Sequence, residues 1–447
     1  MRIIQITPGA GGMYCGNCFR DNALVAELRR GGHDTLMVPL YLPLTLDEED
    51  QSRGMPVFFG GLNVYLDQQF GWFRRWSPGW LREWLSSPGM LRWASGRAAK
   101  TRASDVGDLT LSMLRGEEGN QARDLEELAG WLAGEPRPDV VCLSNAMLLG
   151  MARELRLKLG APVVCMLQGE DAFLDALPTG VRSEAWRILR ERAKGVDGFM
   201  APSRFFADLM AERLGVERGR IRVVANGIAL DGYPPVGEGG GGGAGVPVVG
   251  YFARMCLDKG LDLVVDAFIE LARRSEIPGV RLHVGGGCGP ADEPLVVELQ
   301  QKLERAGLAD RVKWVKNPDR AGKLEFLRSC SVLSVPARCG EAFGLYVVEA
   351  WASGVPVVLP RAGAFSELVE STGGGLLCES THAVVLAGGL ASVLGDESKR
   401  REMGLAGQRA VYQEYGVDAM ARRVLGVFEE LAQRPGAKAV VNAGSVG

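Results

Sequence analysis

Short apolar runs alternate with longer amphipathic ones along most of this chain. In the first half, strand-like runs fall at 2–6, 35–40, 140–143, 162–166, 198–200 and 221–224, and an amphipathic helix is expected over 18–30. The second half repeats the pattern, with strands at 246–252, 280–284, 312–315, 332–335, 355–359 and 375–377 and helices at 262–273 and 293–306. Strands this short and apolar need cover on both faces, and βα alternation supplies it by placing helices on either side of a parallel sheet. The fold class is therefore α/β. Between the halves, 237–245 is nearly all glycine and reads as a flexible linker that cannot pack a core. The expected organisation is a first domain over 1–232, a linker over 233–246 and a second domain over 247–415. A C-terminal helix over 416–434 and a disordered tail over 435–447 follow.

One region, 42–138, interrupts the alternation. Within it Trp72, Trp76, Trp80, Trp84 and Trp93 lie among Arg74, Arg75, Arg82, Arg92, Arg97, Lys100 and Arg102. The spacing of four puts the first indoles on one helical face. Such a stripe over 71–102 suits peripheral contact with a membrane or an anionic lipid acceptor; equally, it suits a helical excursion whose indoles pack on the first domain.

With 447 residues, 47% of them hydrophobic and 23% charged, the chain has the makings of a soluble globular protein of two or three domains. A net charge of -3 gives no reason to expect nucleic acid as a partner. The first residues read as a strand entering a Gly-rich turn rather than as a signal peptide, and no apolar run reaches the length of a membrane span. Nine scattered cysteines then fit a reducing cytoplasm, with peripheral attachment to the inner membrane face as the variant that 71–102 would allow.

The stretch 341–350 carries the most chemistry. Glu341 and Glu349 bracket Phe343, Gly344 and Leu345, between apolar runs at 331–336 and 355–359. A strand, a tight turn at Gly344, a short helix and a second strand form a unit whose ligands sit at the carboxyl ends of the strands. Phe343, Gly344 and Leu345 would open the helix and offer backbone N–H groups to an anion. Two carboxylates flanking an anion hole suit a ligand with hydroxyls at both ends of a diphosphate, which is the layout of a nucleotide-sugar. The plain alternative is a surface helix with two solvated carboxylates.

Upstream, Arg254 and Lys259 project from the loop after the run 246–252, a planar fork and a compact charge able to neutralise a diphosphate. No two Asp residues are separated by one position, so no metal is expected, and cationic side chains with a helix dipole would carry the leaving-group charge. No cofactor is implied. Near the N-terminus Gly9, Gly11 and Gly12 only weakly match a dinucleotide fingerprint, because Tyr14 stands where the third Gly belongs; this rules against a dehydrogenase. Cys15 and Cys18 could serve redox chemistry, but one pair cannot close a tetrahedral zinc site, and a structural role is the simpler reading.

The Glu341–Glu349 segment resembles the E-x7-E motif of retaining glycosyltransferases of family 4, which have the GT-B fold: two Rossmann-like parallel-sheet domains facing a central cleft. The resemblance places Glu341 on the donor sugar and Glu349 on the ribose. Arg254 and Lys259 match the family's R-x4-K-G pattern, which grips the diphosphate. Gly11 and Gly12 are similar to the Gly-Gly loop beneath the donor phosphates, Gly287 to a glycine where backbone approaches the nucleotide, and Asn226 to the Asn-Gly near the hinge. Phe343, Gly344 and Leu345 complete the donor set. Where many members have a His-Gly pair, this chain has Gln168, which can donate a hydrogen bond to a sugar hydroxyl but cannot act as a base. Glu170 and Asp171 would hold acceptor hydroxyls. The resemblance implies a metal-independent, front-face transfer of sugar from a nucleotide-sugar donor to a glycan or lipid-linked acceptor. The alternatives are a non-catalytic nucleotide-sugar or carbohydrate binder and, with less support, a nucleotide-sugar epimerase.

Overall fold

The structure, a computed structural model, describes residues 1–9, 16–41, 49–59, 103–238 and 245–433. Gly11, Gly12, Cys15, the Trp-rich stretch 71–102, the segment 239–244 and the tail 435–447 lie outside the described residues. Among those described, no helix is long and apolar enough to cross a membrane.

Two six-stranded sheets form. The first contains β1 (Arg2–Thr7), β2 (Asp34–Pro39), β3 (Val140–Leu143), β4 (Val163–Met166), β5 (Gly198–Ala201) and β6 (Ile221–Val223), in the order β2-β1-β3-β4-β5-β6. The second contains β7 (Val248–Phe252), β8 (Arg281–Gly286), β9 (Val312–Lys316), β10 (Val332–Leu333), β11 (Val357–Pro360) and β12 (Gly375–Cys378), in the order β12-β11-β10-β7-β8-β9. All their pairings are parallel. The expected α/β class with two Rossmann-like sheets is thus what forms. Its cause is visible in β4, β7 and β11, every residue of which is buried. In the second sheet the strand order reverses between β7 and β10, and the crevice outside such a reversal is where ligands bind in sheets of this kind.

Two strands differ from expectation in a way that shapes this crevice. β10 is only two residues long, because Ala337 N turns back to the Val335 carbonyl (2.9 Å) and the chain leaves the sheet early. β8 continues to Gly286 rather than ending at 284. Gly286 has φ 124°, and a Cβ there would lie 2.0 Å from the Ala253 carbonyl oxygen, so only glycine admits this approach of β8 to the loop after β7.

The chain divides into two compact units, one of Met1–Val224 with the segment from Ala421 onward, the other of Ala225–Met420. The division therefore falls before the expected 1–232 boundary and ahead of the 233–246 linker. Residues 229–237 belong to the second unit because their backbone polar groups find partners there. Arg320 donates to the carbonyls of Ala229 (3.2 Å) and Asp231 (2.8 Å), Tyr412 Oη to that of Pro234 (2.8 Å), and Gly237 N to Gln408 Oε1 (2.9 Å). The last helix is Val417–Ala432. Within the first unit, Glu430 takes two guanidinium hydrogen bonds from Arg222 (3.2 and 2.7 Å), and Leu431 packs where a Cβ on Gly198 would come within 3.0 Å.

Candidate functional site

The loop after β7 is held from several sides. Tyr251 Oη donates to the Arg254 carbonyl (2.7 Å), and Met255 N donates to the Gly287 carbonyl (2.8 Å), which places Gly287 against this loop. Gly260, at φ 71°, opens the helix Leu261–Arg274; a Cβ there would lie 2.1 Å from the Pro336 carbonyl oxygen. The glycine after Lys259 therefore lets the loop press onto the chain leaving β10. From this loop the Arg254 guanidinium reaches Asp292 through two hydrogen bonds (3.1 and 3.0 Å), and the carboxylate pushes Arg254 above its ordinary pKa. Asp292 is buried and also accepts from Gly289 N (3.0 Å), whereas 62% of the Arg254 side chain is exposed. Lys259 Nζ pairs with Glu341.

Glu341 is set by its own backbone. Its carbonyl accepts from Ala364 N (2.9 Å), and Gly363, at φ 56°, lies so close that a Cβ would meet Glu341 N at 2.6 Å. Phe343 and Gly344 are buried, Leu345 partly so, and the helix Leu345–Ala352 begins at Gly344 with no side chain capping its first N–H groups. Such a start attracts anions. Trp351 anchors the other end: it is fully buried, donates to the Gly374 carbonyl (2.7 Å), and occupies a slot where a Cβ on Gly407 would lie 2.4 Å from its ring. Midway along, Glu349 is paired with Lys323 at 2.9 Å.

Arg254, Lys259, Glu341, Phe343, Gly344, Leu345 and Gly287 all belong to loops or helix starts at the carboxyl ends of β7, β8 and β10, around the reversal in strand order. Cations for phosphate, a helix start for phosphate oxygens and carboxylates for hydroxyls are chemically suited to a nucleotide-sugar. Two partners were missed in the sequence: Asp292 and Lys323. Asp292 lies just beyond Gly287 in the sequence, and that proximity was the available signal. The turn at 315–317 is tied to the loop after β8. Asn317 brackets Cys288, accepting from its N–H (2.8 Å) and donating to its carbonyl (2.9 Å), and Lys316 pairs with Glu293 at 2.6 Å.

In the first unit the polar residues gather at the carboxyl ends of β1, β3 and β4. Glu170, expected to hold acceptor hydroxyls, is engaged by the backbone around it. It is buried, and its oxygens accept from Ala146 N (2.6 Å) and Gln168 N (2.5 Å), satisfying two turn donors that would otherwise be stranded. Burial raises its pKa and these backbone donors oppose the rise. Gln168 and Asp171 beside it are half-buried, and Asp171 is also raised by burial. Beneath them Arg20 and Asp21 form a buried ion pair whose guanidinium also donates to the Ser144 carbonyl (3.1 Å), an arrangement invisible in the amphipathic pattern of 18–30. Asn226 is buried and lies in the second unit, next to Gly227, where a Cβ would meet the Gly416 carbonyl at 2.5 Å.

Comparison with known proteins matches the family model of glycosyl transferases group 1 over residues 243–410 and that of the glycosyl transferase 4-like domain over 22–227, between them most of the chain. D-inositol 3-phosphate glycosyltransferase of Nocardia farcinica is 32% identical over 247 residues, 53% of this chain and 53% of that protein. Phosphatidyl-myo-inositol mannosyltransferase of Mycobacterium tuberculosis is 31% identical over 212 residues, 46% of this chain and 51% of the relative. The chain thus spans about half the length of these curated relatives. HepE of Anabaena, solved with UDP, superposes with a TM-score of 0.66 at 18% identity, over 96% of this chain and 100% of that one. Sucrose-phosphate synthase of Thermosynechococcus elongatus gives 0.68 at 18% identity, over 96% and 98%. At such identities the likeness to these two is one of fold.

Proposed function

The chain belongs to the group 1 glycosyltransferases of family 4, with the GT-B fold, and from that membership we propose that it moves a sugar from a nucleoside-diphosphate sugar to a hydroxyl of a glycan or lipid-linked acceptor. One observation carries the reading: Arg254, Lys259, Glu341 and the uncapped start of Leu345–Ala352 stand together where the second sheet reverses its strand order. The diphosphate lies against the two cations and the helix start, which stabilise the charge that develops as the sugar–phosphate bond breaks. Glu341 accepts hydrogen bonds from sugar hydroxyls and Glu349 from the ribose.

Transfer proceeds with retention. The leaving phosphate oxygen takes the proton of the acceptor hydroxyl as that hydroxyl attacks the same face of the sugar, so no protein base is needed. Gln168 donates a hydrogen bond to substrate. Metal is not required in this reading, because Arg254 and Lys259 supply the positive charge. HepE, of similar fold, was solved with UDP-glucose, which makes uridine donors the first to try. The inositol-bearing names among the relatives suggest inositol phosphates and phosphatidylinositol as first acceptors.

The test is a transfer assay pairing UDP-, GDP- and ADP-sugars with such acceptors. Product from one donor supports the proposal. Tight donor binding without turnover with any acceptor would favour the second reading, a binding protein, for which Gln168 in place of the family's His is the motivating residue.

A further inference from the structure

Tyr346, the second residue of the helix Leu345–Ala352, is absorbed by none of the roles above. Its ring is buried and stands edge-on to Phe365, with centroids 6.2 Å apart at 61°. Its hydroxyl is buried and has no hydrogen-bond partner, an unfavourable state for a polar group. The neighbouring Tyr251 hydroxyl offers no outlet, since it donates to the Arg254 carbonyl at 2.7 Å. Burial raises the Tyr346 pKa, and Glu341 raises it further through its charge and through a long side-chain contact with the hydroxyl that falls short of a formed hydrogen bond. Glu341 itself is turned toward Lys259.

These facts describe a donor waiting beside an acceptor that is occupied elsewhere. We propose that Tyr346 is a positioning residue for Glu341: when Lys259 leaves Glu341 to meet an anion, the Tyr346 hydroxyl donates to the vacated carboxylate and fixes its orientation toward the sugar. The ring does not need to move, because Phe365 holds it, and the carboxylate turns by rotation about its side-chain bonds. Without that donor, Glu341 would lose its counter-ion and be left free to rotate as the ligand arrives. The link to the sugar rests on the function proposed above, whereas the exchange of partners between Lys259 and Tyr346 does not.

The exchange is tested without ligand by thermal unfolding of the full chain. In the wild type, Tyr346→Phe should leave the melting temperature unchanged or raise it slightly, since it removes an unpaired buried hydroxyl. With Lys259→Met present, which frees Glu341, the same change should lower it by about 2 °C or more. Adding Glu341→Gln to Lys259→Met should abolish that loss. Lys259→Gln replaces Lys259→Met if the latter does not fold. A Tyr346→Phe effect of the same sign and size in all three backgrounds would overturn the proposal, because a purely structural tyrosine would behave so. The reversal of sign in a protein that binds no nucleotide-sugar would instead leave Tyr346 placed and the proposed function wrong. Donor turnover without the reversal would do the opposite.

Discussion

Lys323 and Glu349 form an ion pair at 2.9 Å with only 10% and 16% of their side chains exposed. A pair so withdrawn from water adds little net stability, but breaking it leaves an uncompensated charge. It also fixes one oxygen of Glu349, and in the proposed donor complex the other accepts from a ribose hydroxyl. Lys323→Met should therefore cost about 3 kcal/mol of stability and weaken nucleotide binding about tenfold. Lys323→Met with Glu349→Leu should recover the stability and not the binding. Urea unfolding together with titration calorimetry against UDP checks both. Recovery of binding in the double variant would place the ribose elsewhere.

Arg254 and Lys259 are the cations assigned to the diphosphate. Arg254 is largely exposed but pairs with the buried Asp292, so Arg254→Ala, which leaves that carboxylate with the Gly289 N–H, should lower the unfolding midpoint modestly without unfolding the chain. Its transfer rate should fall about 100-fold or more, as for loss of one preorganised donor at a site of developing charge. Steady-state rates for the folded variant decide the matter, and near-normal turnover would mean the phosphates lie elsewhere.

Glu170 gives a pH dependence with a definite sign. Its folded pKa is raised by burial from 4.5. A raised acid holds its proton more tightly when folded, so its stabilising contribution is fully present below the unfolded value and is lost as pH rises through the folded one. Unfolding measured from about pH 4 to about pH 7 should show this decline in the wild type and a shallower one in Glu170→Gln. Asp171 is shifted in the same direction and keeps the slope from vanishing. A slope unaltered by the substitution would contradict the assignment.

How much of this was legible in the sequence depended on how local each cause is. The strand at 163–166 was readable because burial on both faces leaves a continuous apolar run. Glu341, Gly344 and Glu349 were readable because a helix start, its glycine and its carboxylates lie within one short segment. Lys323 and Asp292 were not, since each meets its partner only through the fold, and a Lys on a nine-residue helix carries no spacing signal. The backbone partners of Glu170 were hidden for a related reason: an acidic pair after a glycine looks solvent-facing until the N–H groups of Ala146 and Gln168 are seen. The division at Val224 was hidden because the partners of 229–237 come from Arg320, Gln408 and Tyr412, far along the chain.

Metal and stereochemistry can be examined in one experiment. Transfer should persist in excess EDTA, and the new glycosidic bond should keep the donor's anomeric configuration. Proton NMR of the product at early times reads the configuration. An inverted anomer, or activity that returns only with Mg²⁺ or Mn²⁺, would exclude the front-face, metal-independent route.

Binding of a nucleotide-sugar in the second unit is the claim on which the other expectations depend. A thermal-shift panel of UDP-, GDP- and ADP-sugars measures it directly, because a ligand held only by the folded state stabilises it by about 2.7 kcal/mol at a hundredfold excess over Kd. The account predicts that at least one of these donors raises the melting temperature of the wild type, and that Glu349→Ala and Arg254→Ala blunt the rise. A panel in which no nucleotide-sugar shifts the wild type, or in which both variants respond as the wild type does, would contradict it.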